Sequence, residues 1–114
     1  GTFADNEERG FAWKKEREIL IAEIEKTFDY MKIGTTQEAK ALKAAILNKI
    51  FECKSVDALD AKTNEQLKKG EGLLKGFAED YISYMEICAA SNVKPEATEI
   101  GKILDERINN NGLI

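Results

Sequence analysis

The chain of 114 residues contains no histidine, only one proline and only two cysteines. Without histidine there is no imidazole to act as a general base, to ligate a metal or to titrate near neutral pH. Two cysteines are too few for a four-thiolate zinc site or for a disulfide scaffold. These absences weaken most common enzyme chemistries, so we expect a protein that is not an enzyme and needs no cofactor.

Long hydrophobic runs are also missing. No stretch approaches the roughly 18 apolar residues of a transmembrane helix, and the first nine residues are polar and acidic, unlike a signal peptide. We therefore expect a cytoplasmic protein that does not enter a membrane. Because the chain begins with Gly1 rather than Met, we also consider it a piece of a longer protein, from which a targeting segment could have been removed.

What is present is a hydrophobic fraction of 43%, ordinary for a globular protein, in a length that suits one domain. Apolar residues recur every three or four positions along four tracts, and no tract alternates with a period of two as a strand would. We predict one all-α domain over residues 1–114, a four-helix bundle-like fold with long first and third helices. The predicted helices span approximately 4–33, 36–53, 63–90 and 95–109, with a short helical turn at 55–59 between the second and the third.

Turn residues and capping residues set these predicted boundaries. Gly34 suits a left-handed C-cap of the first helix, and Pro95 suits the first position of the fourth, where a missing N–H costs nothing. The second and third helices each begin with a threonine that has Glu or Gln three residues later, as a capping box requires. These pairs are Thr35 with Glu38 and Thr63 with Gln66.

Three glycines, Gly70, Gly72 and Gly76, lie inside the third helical tract. Their spacing, G-x-G-x-x-x-G, differs from a dinucleotide-binding loop, and a helical pattern rather than a strand precedes them. Each glycine lowers helix propensity by roughly 1 kcal/mol against alanine. Either the helix breaks near Gly70, or the glycines let a neighbouring helix approach closely; we favour one helix from Thr63 to about Ala90.

The cysteines and carboxylates have structural interpretations. Cys53 and Cys88 fall at distant positions along the predicted helices, so we expect two reduced thiols packed as small hydrophobes. Carboxylates on the first and third helices fall mainly off the apolar stripes, as on a solvated face. No histidine is available for a di-iron site, so a carboxylate-based metal site or small enzyme ranks last among our hypotheses.

Charge is distributed unevenly along the chain. Residues 1–31 carry a net charge of −3, residues 32–75 a net +3 and residues 76–114 a net −4. The lysine-rich middle supports one alternative function, an accessory domain in phage or mobile-element nucleic-acid metabolism. Against it stand the absence of arginine in residues 32–75 and a pI near 5.0. The candidate contacts for phosphate or an acidic partner are Lys40, Lys43, Lys68, Lys69 and Lys75.

Apolar residues near the two chain ends support our leading hypothesis. A compact helical domain does not readily cover side chains at the start of a long first helix or beyond the last helix, and uncovered apolar ends suit a dimer contact or a docking strip. We therefore expect a non-enzymatic helical module that acts by protein–protein contact, as a homo-oligomer or as the interaction domain of a larger protein. The candidate contact residues are Phe3, Phe11, Trp13, Leu113 and Ile114.

Overall fold

The structure, a computed structural model, describes the backbone of residues 2–112 and the side chains of residues 12–110. Over the described backbone the chain is helical and contains no strand, which confirms the prediction of an all-α chain with four main helices. The elements are α1 (Thr2–Met31), α2 (Gln37–Phe51), a 3-10 helix (Asp57–Ala61), α3 (Asn64–Ala90) and α4 (Ala97–Gly112).

One of the two predicted capping boxes is confirmed. The hydroxyl of Thr63 accepts a hydrogen bond from the Gln66 backbone N–H at 3.1 Å, and the Gln66 side chain accepts one from the Thr63 N–H at 2.9 Å. The box predicted on Thr35 is wrong by one residue, because α2 is capped by Thr36, whose side chain accepts from Ala39 N–H at 3.1 Å. The residue three positions after Thr36 is alanine, which has no side-chain oxygen to reciprocate.

The end of α1 also differs from its prediction. The helix ends at Met31, and Lys32 follows in the left-handed region with φ 52°. The Lys32 N–H donates to Asp29 O at 3.2 Å, so the last turn tightens before the glycine is reached. Gly34, with φ 99°, lies in the turn between α1 and α2 and not at the C-cap.

Pro95 precedes α4 by two residues and does not occupy its first position. Glu96 stands between them, and its carbonyl accepts the Ile100 N–H at 3.1 Å. The Glu96 N–H donates to the Tyr84 hydroxyl at 3.0 Å. The entry into α4 is therefore tied to the last third of α3 by a side chain that sequence spacing did not indicate.

The two long helices, α1 and α3, run parallel. Asn64 Nδ2 donates to Trp13 O at 3.1 Å, Lys68 pairs with Glu16, and further along the same seam Lys75 pairs with Glu23. In each pair the α3 residue follows its α1 partner by 51 or 52 positions in the sequence. A constant offset of this kind requires that both helices advance in the same direction.

Helices α2 and α4 run opposite to α1 and α3. The start of α2 lies near the end of α1, where Lys43 Nζ is 5.1 Å from the centre of the Phe28 ring, and its end lies near the start of α3, where Phe51 packs against Gly70. Glu96, directly before α4, contacts Tyr84 near the end of α3. Ion pairs then join α4 to its neighbours: Arg107 to Asp80 at 2.8 Å and Asp105 to Lys49 at 3.5 Å.

One buried apolar cluster joins all four helices and the 3-10 helix. Its completely buried members come from every part of the chain between α1 and α3, and Ile100 and Leu104 add the α4 contribution. Burial of a side chain of this size contributes about 1.5–3 kcal/mol to folding. The side chains with the least exposure are Ile24, Ile46, Leu47, Leu59, Leu67, Leu74 and Phe77.

Helix α3 runs unbroken through its glycines. The surroundings of Gly70 explain why a glycine stands at this position. A Cβ atom at this position would overlap the ring of Phe51, which lies directly against the α3 backbone. Of the two interpretations of the glycines, the close approach of a neighbouring helix therefore holds for Gly70. At Gly72 nothing lies within 4 Å of the place that a Cβ atom would occupy, so that glycine has no packing role of this kind.

Candidate functional site

The first third of α1 extends past the rest of the helical core. Asn64, the first residue of α3, contacts α1 at Trp13. Because α1 and α3 run parallel, residues 2–12 of α1 continue beyond the start of α3, over about 16 Å at 1.5 Å per residue. We refer to residues 2–12 as the α1 extension. It is helical from Thr2 onward.

At the base of the α1 extension, Arg17 ties α1 to the connection between α2 and α3. Its guanidinium donates to Asn64 Oδ1 at 3.2 Å, to Leu59 O at 3.0 Å and to Asp60 O. The last two acceptors are carbonyls at the end of the 3-10 helix, and Leu59 O also accepts the Lys62 backbone N–H at 3.0 Å. Asn64, which is buried, accepts from Arg17 and donates to the Trp13 carbonyl, so α1, the connection and α3 share one polar network.

Trp13 lies at the edge of the core and is 49% exposed. Trp13 lies on the same face of α1 as the buried Ile24, which comes eleven residues, or about three helical turns, later. The Arg17 guanidinium lies 5.2 Å from the centre of its ring, a cation–π contact. The apolar stripe of α1 thus continues at least to the point where α3 begins, and Trp13, its first member with a described side chain, is half exposed.

A second apolar side chain, Ile19, is exposed on a different face of the same part of α1. It is 56% exposed and lies about 120° around the helix from Trp13. Beside it is a shallow, open hollow of about 500 Å³, lined mostly by apolar atoms of Ala12, Leu20 and Ile19 and by the stems of Lys15 and Lys68. Two separate faces of α1 therefore present uncovered apolar surface near the α1 extension.

The five lysines predicted to contact phosphate or an acidic partner do not form one patch. Lys68 pairs with Glu16 at 2.6 Å, and Lys75 pairs with Glu71 at 2.7 Å and with Glu23 at 3.5 Å. Lys43 lies over the Phe28 ring, Lys40 is exposed on α2, and Lys69 lines a hollow where α2, α3 and α4 meet. The fold distributes these lysines among four different surroundings.

The pair between Glu16 and Lys68 is reflected in the pKa values of both groups. The hydrogen bond and the charge of Lys68 lower the pKa of Glu16, and the same contacts raise the pKa of Lys68. Lys75 shows the same effect, because Glu71 raises its pKa. These lysines neutralise carboxylates on the protein itself, which reduces the positive charge available to a polyanion.

A further apolar feature is a groove of about 430 Å³ between the parallel helices α2 and α4. Small residues line it on both helices, Ala41 and Ala45 on α2 and Ala97 and Gly101 on α4, together with the buried Ile100 and Leu104. Lys49 and Asp105, which form an ion pair, also line it. Composition did not indicate this groove, since it depends on which faces of two separate helices meet.

The cysteines and the carboxylates do not form a reactive or metal-binding site among the described residues. Cys53 and Cys88 are free and buried, as expected for thiols packed as hydrophobes, and the Cys53 thiol is 3.5 Å from Ser55 O. Among the described residues, no three carboxylates or cysteines converge in a way that could hold a metal ion. Every buried side-chain N or O atom in the described part has a hydrogen-bond partner.

Of the five predicted partner-contact residues, only Trp13 has a described side chain. The side chains of Phe3 and Phe11, and the whole of Leu113 and Ile114, lie outside the described residues. Ile19 was missed by the sequence reasoning, which concentrated on the buried stripe of α1. A helical-wheel comparison with Leu20 and Ile24 would have shown that Ile19 falls on another face.

Comparison with known protein families, with curated proteins and with solved structures yields no match to this chain. In the part of the chain that the structure describes, none of the helices combines the length and the apolar character that crossing a membrane requires. Function must therefore be argued from the surface of the molecule itself.

Proposed function

We propose that this chain is a non-enzymatic helical module, a four-helix bundle that acts by protein–protein contact, and that the α1 extension with its base at Trp13 and Ile19 is the contact surface. One observation carries this proposal. Helix α1 continues about 16 Å past the start of α3, and where it leaves the core both Trp13 and Ile19 are about half exposed, on different faces.

Residues 2–12 lie past the start of α3, the helix that packs along the rest of α1. Most of the stability of a helix in a protein comes from packing of its apolar face against other elements. Tryptophan is also among the side chains that contribute most to protein–protein contacts when they are covered. Contact with another protein chain would supply the packing that α3 supplies to the rest of α1.

The nucleic-acid alternative has less support. Its basis was the lysine-rich middle of the chain, yet Lys68 and Lys75 pair with carboxylates of α1 or α3, and Lys43 lies over an aromatic ring. Binding to nucleic acid depends mainly on cations free to neutralise phosphate. Three of the five predicted lysines are thus engaged by other side chains of the protein, so the protein–protein function is preferred.

Sedimentation velocity over a concentration series tests the proposed function. The wild-type protein is expected to associate as its concentration rises, and Trp13→Ala and Ile19→Ala are expected to weaken that association. Ile87→Ala is the matched control, because Ile87 is 64% exposed but lies near the far end of α3. A wild-type protein that stays monomeric at every concentration would contradict the proposal, as would equal effects of Ile19→Ala and Ile87→Ala.

A further inference from the structure

We infer that the partner of the α1 extension is the same segment of a second copy of this chain, paired antiparallel over residues 2–15. This inference rests on the proposed function and names the partner and its orientation. Three features of the molecule support it: the order of charges along α1, the direction in which the helix leaves the core, and the hollow beside Ile19.

The charges of this segment are divided into two consecutive halves. Residues 2–8 carry three carboxylates, Asp5, Glu7 and Glu8, and no basic side chain. Residues 9–15 carry three basic side chains, Arg9, Lys14 and Lys15, and no carboxylate. Each half is seven residues long, so the segment has a net charge of −3 followed by a net charge of +3 in the same helix.

Such a segment is complementary to itself in one orientation. When two copies overlap antiparallel over residues 2–15, the acidic half of each lies along the basic half of the other. When they overlap in parallel, acid faces acid and base faces base, which is unfavourable. Antiparallel pairing also produces a two-fold symmetric contact, the closed arrangement found most often in homodimers.

The fold leaves room for this pairing. Residues 2–12 extend beyond the start of α3, so most of the paired segment lies outside the two helical cores, which would be at its opposite ends. Lys14 and Lys15, at the base of the segment, are exposed and form no ion pair among the described residues. Arg17, two residues after Lys15, lies outside the paired segment, and its guanidinium donates to the Leu59 carbonyl of the 3-10 helix.

The same register also accounts for the apolar hollow. With residues 2–15 fully overlapped, position 3 of the second copy falls opposite Lys14. This position is a phenylalanine, and the neighbouring hollow is lined by Ala12, Lys15 and Ile19. The second copy would thus place an apolar residue beside Lys15, at one edge of this hollow and about 7.5 Å along the helix axis from Ile19.

Charge reversal tests the orientation. Two variants are prepared in the full chain, Glu7→Lys with Glu8→Lys, and Lys14→Glu with Lys15→Glu. In an antiparallel pair each variant alone faces like charge, so its self-association is expected to weaken by at least about tenfold. Mixing the two variants restores opposite charges on both sides, and the mixture is expected to associate with nearly wild-type affinity.

Two controls accompany these variants. Lys40→Glu with Lys54→Glu changes the net charge as much as the lysine reversal does, at exposed positions on other parts of the surface, and is expected to leave association unchanged. Ala12→Cys reports orientation directly, because its thiol would meet its own counterpart in a parallel pair and not in the antiparallel one. Circular dichroism of each variant establishes that the fold is retained.

The outcomes separate this inference from the proposed function. A wild-type protein that never associates contradicts the proposed function and with it this inference. A wild-type protein that associates, but whose association either is unaffected by the reversals or is strengthened by one of them, overturns the antiparallel pairing alone. Disulfide formation between two Ala12→Cys copies within the associated state would overturn it as well, whereas rescue by mixing supports it.

Discussion

The ring of Phe51 lies directly against the backbone of Gly70, in the space that a side chain at residue 70 would fill. This contact sets the distance between the end of α2 and the start of α3. Gly70→Ala would place a methyl group inside the ring, so the two helices must separate or the ring must move. We expect a loss of about 1–3 kcal/mol in the free energy of unfolding, as for other overpacked positions, measured by urea denaturation.

Gly72, two residues further on in the same helix, provides the matched control. It is exposed, and nothing lies within 4 Å of the position that a Cβ would take. Gly72→Ala therefore gains helix propensity without a clash and is expected to raise the free energy of unfolding by about 0.5–1 kcal/mol. Equal effects of the two substitutions would show that the contact with Phe51 does not constrain the helix spacing.

Removal of the Arg17 guanidinium is expected to loosen the connection between α2 and α3. Arg17→Met keeps the apolar stem but deletes the hydrogen bonds to the carbonyls of Leu59 and Asp60 and to Asn64. Hydrogen bonds from a charged donor contribute about 1.5–3 kcal/mol, and buried Asn64 would lose a partner. We expect destabilisation of this size in a urea titration.

The control for this prediction is Lys26→Met, which removes an exposed cation from the same helix outside the paired segment. Its effect on the free energy of unfolding is expected to stay within about 0.5 kcal/mol. If Arg17→Met were equally mild, the network around Asn64 would be dispensable, and the base of the α1 extension would be held by apolar contacts alone.

The pair between Glu16 and Lys68 predicts a small dependence of stability on pH. Lys68 lowers the pKa of Glu16 from its usual 4.5. A carboxyl whose pKa is lower in the folded state stabilises the protein above its unfolded pKa, and this contribution is lost as the pH falls through the folded value. The raised pKa of Lys68 has the opposite sense, since its contribution is present below 10.5 and is lost above that value.

Comparison of wild type with Lys68→Met at several pH values measures this effect. The difference in the free energy of unfolding is expected to be largest near neutral pH and to shrink as the pH falls below 4.5. It is also expected to shrink in about 1 M salt, because both groups are exposed and screened. Lys40→Met is the reference for loss of an exposed lysine. A difference that persists unchanged at low pH would mean that Lys68 acts through its stem and not through its charge.

Sequence periodicity was sufficient to predict the helices, because the buried residues of α1 and α3 recur at helical spacing. It could not predict that α1 and α3 run parallel, since this depends on how α2 and the connection at Leu59 return the chain to the start of α1. The predicted helix ends were wrong by one or two residues where side-chain hydrogen bonds set the true boundary. Thr36 rather than Thr35 caps α2, and the N–H of Glu96 is held by Tyr84 before α4 begins.

The candidate site was predictable in part. Trp13 was expected to be poorly covered because it lies near the start of a long helix, and the structure places it half exposed. Ile19 was not expected, because attention went to the buried stripe of α1, although its offset from Leu20 and Ile24 places it on another face. The lysines show the reverse: their number along the chain suggested a basic surface, but Glu16, Glu23 and Glu71 pair with two of them.

Hydrogen–deuterium exchange at several protein concentrations tests the central claim most directly. The amides of residues 4–12 report whether the α1 extension is covered, while those of residues 74–81 in the buried part of α3 serve as the reference. The account predicts that protection of residues 4–12 increases as the concentration rises and that the reference does not change. Exchange of residues 4–12 at the same rate at every concentration, in wild type and in Ile19→Ala alike, would contradict it.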